Sequence, residues 1–222
     1  MTTKIIQIKS EMGSAFNFIL EKPPDFNFYP GQYLDIILKG TRAFTISSSP
    51  TEDFLMITPQ KGISEFKKCL ASLKPGNTIE SSHPAGTFTL DESSPAVFIA
   101  GGIGITPFRS MIKYAFDQPR FNRGQKLSTP ITLIYSNSDD NFLFKEELDK
   151  WSEDLTNLSI IYLNTTNQGR LNLSKLAMIV QKNDNVIYYL AGSHEFVNDM
   201  AKILIDYGID ETNIRYDRFD GY

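Results

Sequence analysis

Cysteine is almost absent from this chain of 222 residues, with Cys69 alone. An internal disulfide is thereby excluded. So are a structural zinc built from cysteines and a Cys-ligated iron–sulfur cluster within this chain. Histidine is nearly as scarce: His83 and His194 are the only two, neither in a ligand-spacing pattern, and no metal site is expected. No apolar run approaches the ~20 residues of a membrane-spanning helix, so no membrane span is expected. The opening MTTKIIQIKS has no apolar signal core with a cleavage site, which reads as cytoplasmic. The net charge of −4 and the lack of any basic run argue against a nucleic-acid partner. Hydrophobic residues make up 41% of the chain, enough for a substantial core in one large domain or two smaller ones.

The two halves of the chain differ in pattern. Up to about residue 90, short runs alternate in hydropathy. Ile6 and Ile8 alternate with Gln7 and Lys9, Phe16, Phe18 and Leu20 share a face, and Leu34, Ile36 and Leu38 face away from Asp35 and Lys39. Arg42–Ser48 and Phe54–Thr58 add two further runs. Pro23-Pro24, Pro30-Gly31, Gly40 and Pro75-Gly76-Asn77 supply the turns between runs. This is the pattern of an antiparallel barrel or sandwich, interrupted by one helix at about Ser64–Leu73. Cys69 shares helical spacing with Phe66, Leu70 and Leu73 and is expected in the core. From about Ser94 the pattern becomes β–α–β–α. Strands are expected at Val97–Ala100, Ile131–Ser136, Leu158–Leu163 and Val186–Ala191. Helices are expected at Pro107–Phe116, Leu143–Trp151, Leu173–Val180 and Glu195–Tyr207, with a loop over Pro119–Pro130. Such alternation implies an open, doubly wound parallel sheet. The boundary falls near Leu90–Pro95, giving domains 1–92 and 93–222, the second ending in an aromatic tail.

Ala96–Ile112 reads AVFIAGGIGITPFRSMI. An apolar strand runs into Gly101, Gly102 and Gly104, which allow a tight turn and close approach of a ligand. Thr106 then suits a helix cap and Pro107 a first turn. Strand, glycine turn and helix N-terminus together can hold a pyrophosphate through free N–H groups and the helix dipole. The ordinary alternative is a strand–helix turn whose glycines serve packing. The P-loop lysine is missing, which argues against ATP chemistry. Arg42-Ala43-Phe44-Thr45 places a guanidinium and a ring on one face of a strand, with a hydroxyl next to them, although a surface arginine on an ordinary strand would look the same. Ser64, after Lys61-Gly62-Ile63, is a helix-cap candidate, and the N–H groups there could hold a second pyrophosphate. Tyr189-Leu190-Ala191-Gly192-Ser193 closes a buried strand, where open α/β sheets place ligands.

In order and spacing these segments resemble the ferredoxin–NADP⁺ reductase superfamily over nearly the whole chain. The family pattern R-x-Y-[ST] corresponds to Arg42–Thr45, G-x-x-S loosely to Gly62–Ser64, and G-G-x-G-x-[ST]-P fully to Gly101–Pro107. C-G-P corresponds to Ala191-Gly192-Ser193 at the glycine alone, and E-x-F-x-G-Y resembles Asp217–Tyr222. The resemblance implies a flavin-binding antiparallel Greek-key β-barrel followed by a Rossmann-like nicotinamide-nucleotide domain. It implies that Arg42 binds the flavin pyrophosphate, Phe44 lies against the isoalloxazine, and Thr45 hydrogen-bonds near N5 as the catalytic contact. Gly62, Ile63 and Ser64 would help hold the phosphates. Gly101, Gly102, Gly104, Thr106 and Pro107 would receive the NAD(P)H pyrophosphate. Gly192 would lie beside the nicotinamide, and Phe219 and Tyr222 would close the flavin site. Phe44 lacks the family tyrosine's hydroxyl, Ala191 replaces a frequent cysteine, and Asp217 is one methylene shorter than the family glutamate.

The implied activity is that of a flavin-dependent NAD(P)H oxidoreductase. Hydride passes from NADH to bound FAD, and the electrons pass to a separate acceptor, protein or small molecule. FAD is favoured over FMN because Arg42 and the Gly62–Ser64 turn offer two pyrophosphate contacts. NADH is favoured over NADPH because Asp139 and Asp140 follow the second strand of the second half, where a 2′-phosphate would need positive charge, with Lys145 the nearest cation in sequence. Two other readings fit the same residues: a flavin reductase taking free flavin as substrate, and a non-catalytic flavin-bearing or regulatory subunit.

Overall fold

A computed structural model describes residues 1–118, 130–180, 183 and 185–219. Of the loop expected over Pro119–Pro130, only Pro130 is among them. The last three residues, including Tyr222, lie outside the described residues. By its contacts the chain divides into two compact units. The first is Met1–Leu90 with Thr106–Asp117, and the second is Asp91–Ile105 with Gln118–Gly221.

The first unit is built on six antiparallel strands: β1 (Thr2–Ser10), β2 (Phe16–Glu21), β3 (Tyr33–Leu38), β4 (Gly40–Thr45), β5 (Phe54–Ile57) and β6 (Thr78–Ser81). Their order is β4-β3-β6-β1-β2-β5. The chain leaves β3 and β4, returns through β6 to lie beside β1, and so makes the Greek-key crossing. Ile46, just past β4, bridges to Ile57 of β5, and Ser47 N–H donates to the Met56 carbonyl at 2.8 Å. These contacts curl the sheet around a core of Ile5, Phe18, Leu20, Leu34, Ile36, Ile46, Leu55, Ile57 and Ile79. In β1, Ile8 packs against the core as its alternation suggests, and Ile6 does not. Ile5 is fully buried and Ile6 is 54% exposed, because a bulge between Ile5 and Gln7 moves the inward face by one residue. Strand β6 has a single apolar residue, Ile79, too weak a signal for the sequence to reveal it.

Helix α1 (Glu65–Ser72) starts where expected, its N-terminus capped by Ser64, whose side chain accepts from Lys67 N–H. Phe66 and Leu70 anchor it in the core, whereas Cys69 is half-buried rather than interior. Helix α2 (Ile105–Asp117) belongs to the first unit from Thr106 on. Its Phe108, Met111, Ile112 and Ala115 are buried, as their spacing requires. Its polar anchors are less expected. Arg109, 2% exposed, makes a two-pronged pair with Glu52 at 2.9 and 3.2 Å and donates to the Ser47 carbonyl at 2.8 Å.

The second unit is a parallel sheet of β7 (Ala96–Gly101), β8 (Ile131–Asn137), β9 (Leu158–Asn164), β10 (Ile187–Ser193) and β11 (Ile214–Phe219), in the order β11-β10-β7-β8-β9. The first four are the expected strands to within a residue or two, and β7 and β10 are buried along nearly their whole length, as central parallel strands are. Helices α3 (Lys145–Asp154), α4 (Thr165–Gln168), α5 (Leu173–Ile179) and α6 (His194–Asp206) complete it. Helix α3 begins two residues later than its apolar spacing suggests, because Phe144 takes a left-handed conformation at φ 60°. The aromatic tail is not a loose cover. Ile214–Phe219 pairs in parallel with β10, from Tyr188 opposite Ile214 to Ser193 opposite Phe219. Chain order reverses between β7 and β10, the switch point at which such sheets bind ligands beyond the strand carboxyl ends.

Candidate functional site

In the first unit, β4 sets Arg42 and Phe44 on one face by its two-residue period. Phe44 stacks on Phe66 of α1, with ring centroids 5.9 Å apart and planes 23° apart. The Arg42 guanidinium lies 5.8 Å from the Phe66 centroid and also donates to the Thr41 carbonyl at 2.9 Å. Phe66 thus brings the β4 residues to the start of α1, where Ser64 caps and Ile63 stands 91% exposed. Thr45 is buried at the end of β4, opposite Tyr33. Gly62 has a flexible neighbour, the Lys67 side chain, so its lack of a Cβ is not a strict packing demand. Phe66 was not marked as a site residue by sequence; it is an ordinary apolar helix position until the fold places it under Arg42 and Phe44.

In the second unit, Gly101 ends β7 and Gly102–Gly104 form a 3₁₀ turn leading into α2. Thr106 is not the cap expected of it. The helix begins at Ile105 with Gly104 at the cap position and no side-chain cap bond, so Thr106 and Pro107 lie inside the first turn and Thr106 is 3% exposed. No side chain caps the turn, and the Ile105 N–H donates within it, to the Gly102 and Ile103 carbonyls. The three glycines divide into two kinds. A Cβ on Gly104 would stand 2.1 Å from the Ala191 carbonyl oxygen, and one on Gly101 would stand 2.7 Å from the Phe196 ring. These two let the β7 turn close against the end of β10. Gly102, at φ +52°, is half-buried, and a Cβ there would make one ordinary contact, with Asn137 Oδ1 at 3.8 Å. Gly192, against Gly101 and Phe196, completes this crossing. Asp217 sits opposite Ala191 on β11, and Phe219, half-buried, sits opposite Ser193.

Burial pushes the Asp217 carboxyl up to about 7 from its ordinary 3.8. Between those values the folded chain holds a proton that the unfolded chain has lost. The carboxyl therefore makes no penalty at pH 4 and its full penalty above pH 7, at most about 4 kcal/mol. Asp217→Asn is expected to raise the melting temperature at pH 8 and leave it nearly unchanged at pH 4. Equal shifts at both pH values in thermal melts would contradict this assignment.

At the carboxyl ends of β8 and β9 lies a cavity of about 560 Å³ lined by Asp140, Phe142, Lys145, Tyr162, Asn164, Asn167 and Gln168. Asp140 accepts from Asn164 Nδ2 at 2.9 Å, and Asn164 in turn caps α4. Asp139 does not line it; its carboxylate accepts from Asn137 Nδ2 and Asn141 N–H within its own loop. Lys145 Nζ pairs with Asp149 at 2.5 Å and lies 4.2 Å from the Tyr162 ring centroid. Tyr162 donates to Asp149 at 2.7 Å, and burial first, then that bond, pushes its phenol up. Tyr162, Asn164 and Gln168 went unmarked in the sequence. An Asn-Thr-Thr at the end of a parallel strand was the available signal, since it reads as a helix cap at a ligand-binding edge.

Among the described residues no group of three or more His, Cys, Asp or Glu could hold a metal, and no helix is long and apolar enough to cross a membrane.

Residues 98–202 match the family model of the oxidoreductase NAD-binding domain. A ferredoxin-NADP⁺ reductase from Plasmodium falciparum has the same fold, with a TM-score of 0.82 at 18% identity over 98% of this chain and 95% of that one. Residues 98–202 thus carry an oxidoreductase NAD-binding domain, and the fold of the chain is that of ferredoxin–NADP⁺ reductases, the family its motifs resemble. It is 34% identical to NADH-cytochrome b5 reductase 1 of Neosartorya fischeri, over 69% of this chain and 54% of that protein. It is 27% identical to the flavohemoprotein of Bacillus subtilis, over 86% of this chain and 51% of that protein. The chain spans about half the length of the curated relatives it matches.

Proposed function

We propose that this chain is an FAD-containing, NADH-dependent reductase module that passes electrons to a separate acceptor. The observation that carries the reading is the glycine turn at the β7/β10 switch point. Its helix has no side-chain cap, and a Cβ on Gly102 would make only one ordinary contact, with Asn137 Oδ1 at 3.8 Å. Flavin, when bound, would supply the redox chemistry, that of a two-electron hydride acceptor for reduced nicotinamide. The protein binds and orients. Arg42 neutralises the flavin pyrophosphate and the Gly62–Ser64 turn adds N–H donors to it. Phe44 offers a ring face, and the Thr45 hydroxyl hydrogen-bonds near N5. Gly101, Gly102 and Gly104, with Thr106 and Pro107 in the first helical turn, receive the nicotinamide-nucleotide pyrophosphate. Gly192 leaves room beside the nicotinamide. These residues fit FAD better than FMN, because only FAD has a pyrophosphate for both Arg42 and the α1 turn.

The cavity at β8 and β9 suits an adenosine with free ribose hydroxyls. Asp140 lines it, and Lys145 is already engaged by Asp149 and Tyr162. A 2′-phosphate would meet negative charge without an arginine to match it. We expect kcat/KM for NADH to exceed that for NADPH by about tenfold, equivalent to ~1.4 kcal/mol. A ratio of one or below would refute the preference.

The acceptor is a separate protein or small molecule, in keeping with the named activity of the cytochrome b5 reductase relative. The single cysteine accords with work in the reducing cytoplasm. One observation favours a second reading, in which flavin is a substrate. Phe44 is already stacked on Phe66 and carries no hydroxyl, which weakens its hold on a ring. Purification distinguishes the two. The first reading expects a yellow protein with stoichiometric flavin, identified as FAD by mass spectrometry after release. The second expects a colourless protein that oxidises NADH only when flavin is added. Release of FMN alone would reject the FAD assignment.

A further inference from the structure

Buried polar groups in the first unit gather just beyond β4. Ser47, Ser48 and Ser49 are fully buried, as is Ser110, and Arg109 is 2% exposed. Each of the three serines is held. The Ser47 carbonyl accepts from Arg109 at 2.8 Å, the Ser48 carbonyl accepts from Ser110 Oγ at 2.6 Å, and Ser49 N–H donates to Glu52 at 2.7 Å. Glu52 closes the set by receiving both prongs of Arg109 at 2.9 and 3.2 Å. This cluster starts two residues after Thr45 and continues the strand that carries Arg42 and Phe44.

Stability alone does not explain a buried ion pair here. Desolvating two charges cancels much of their attraction, and an apolar pair of equal volume commonly stabilises a fold as well or better. What an apolar pair lacks is direction. The guanidinium is a rigid planar fork of donors, so one side chain fixes a carbonyl and a carboxylate in a single geometry. We infer that Arg109 and Glu52 are positioning residues for the flavin strand: by fixing the Ser47–Ser49 backbone they set the orientation of the Thr45 hydroxyl and the Arg42 guanidinium toward bound flavin. The inference rests on the flavin reading of β4. Neither residue is assigned contact with flavin, and the effect runs through backbone placement.

The test separates placement from stability. In Arg109→Met/Glu52→Met the charges are replaced by apolar side chains of similar length. The double variant is expected to melt within a few degrees of the wild type. Its FAD Kd, from fluorescence titration, is expected to rise about tenfold or more. The visible circular dichroism of bound flavin is expected to change as well. Arg109→Lys and Glu52→Gln, which keep polar partners, are expected to show the same changes in smaller degree, and they carry the test if the double variant fails to fold. FAD affinity within twofold of the wild type, with an unchanged visible spectrum in the folded variants, would overturn the inference while leaving the flavin reading intact. A wild type that binds no FAD would remove the flavin reading and the inference together, and that outcome is distinct because it appears before any variant is made.

Discussion

Gly104→Ala is expected to destabilise the protein by about 3 kcal/mol, at the upper end of overpacking effects. Its new methyl would lie 2.1 Å from the Ala191 carbonyl oxygen, 2.4 Å from the carbonyl carbon and 2.7 Å from Gly192 N. All three atoms are backbone, so no side chain can swing away; the turn after β7 and the end of β10 must move apart. Gly102→Ala is the informative contrast. It has space and a φ of +52°, so the left-handed conformation alone opposes it, at about 1–2 kcal/mol. If Gly102 N–H faces a pyrophosphate, Gly102→Ala should weaken dinucleotide binding more than its stability loss suggests. Urea unfolding of both variants, with NADH binding measured on each, checks the pair. Equal stability losses would contradict the division of the glycines into packing and ligand-facing positions.

Glu52→Ala is expected to cost about 3–5 kcal/mol, because it leaves the buried Arg109 guanidinium without its carboxylate. Ser49 N–H loses its acceptor in the same step. Truncation is far worse than replacing both partners, since the remaining charge stays in low dielectric. A loss under about 1 kcal/mol in equilibrium unfolding would mean that water reaches Arg109 and that the pair is not truly interior.

The fold was legible where local pattern and tertiary demand agree. The buried runs of β7 and β10 and the spacing of Phe108, Met111, Ile112 and Ala115 identify themselves, because each obeys one period over several residues. Strand β6 offers only Ile79, and β11 mixes apolar, aromatic and charged residues in too short a run to show a strand by itself. Both become strands through pairing with partners distant in sequence. In β1, Ile5 takes the inward place that alternation gives to Ile6, because a bulge leaves no mark in composition, whereas Ile8 packs inward as its spacing suggests. The candidate site divides in the same way. The glycine turn, Arg42 and Ser64 belong to contiguous motifs. Phe66, Tyr162 and the Arg109–Glu52 pair do not. Arg109 and Glu52 lie on opposite sides of the domain boundary expected from sequence, and only the packing of α2 on the first unit brings them together. Thr106 shows the limit of a motif itself. The helix starts before it and removes its capping role.

Anaerobic titration of the purified, FAD-loaded chain with NADH reads hydride transfer itself. The visible flavin band is expected to bleach with about one equivalent of NADH, since a hydride delivers both electrons at once. A chain that takes up no FAD, or that holds FAD whose spectrum NADH leaves unchanged, would contradict the proposed reductase activity.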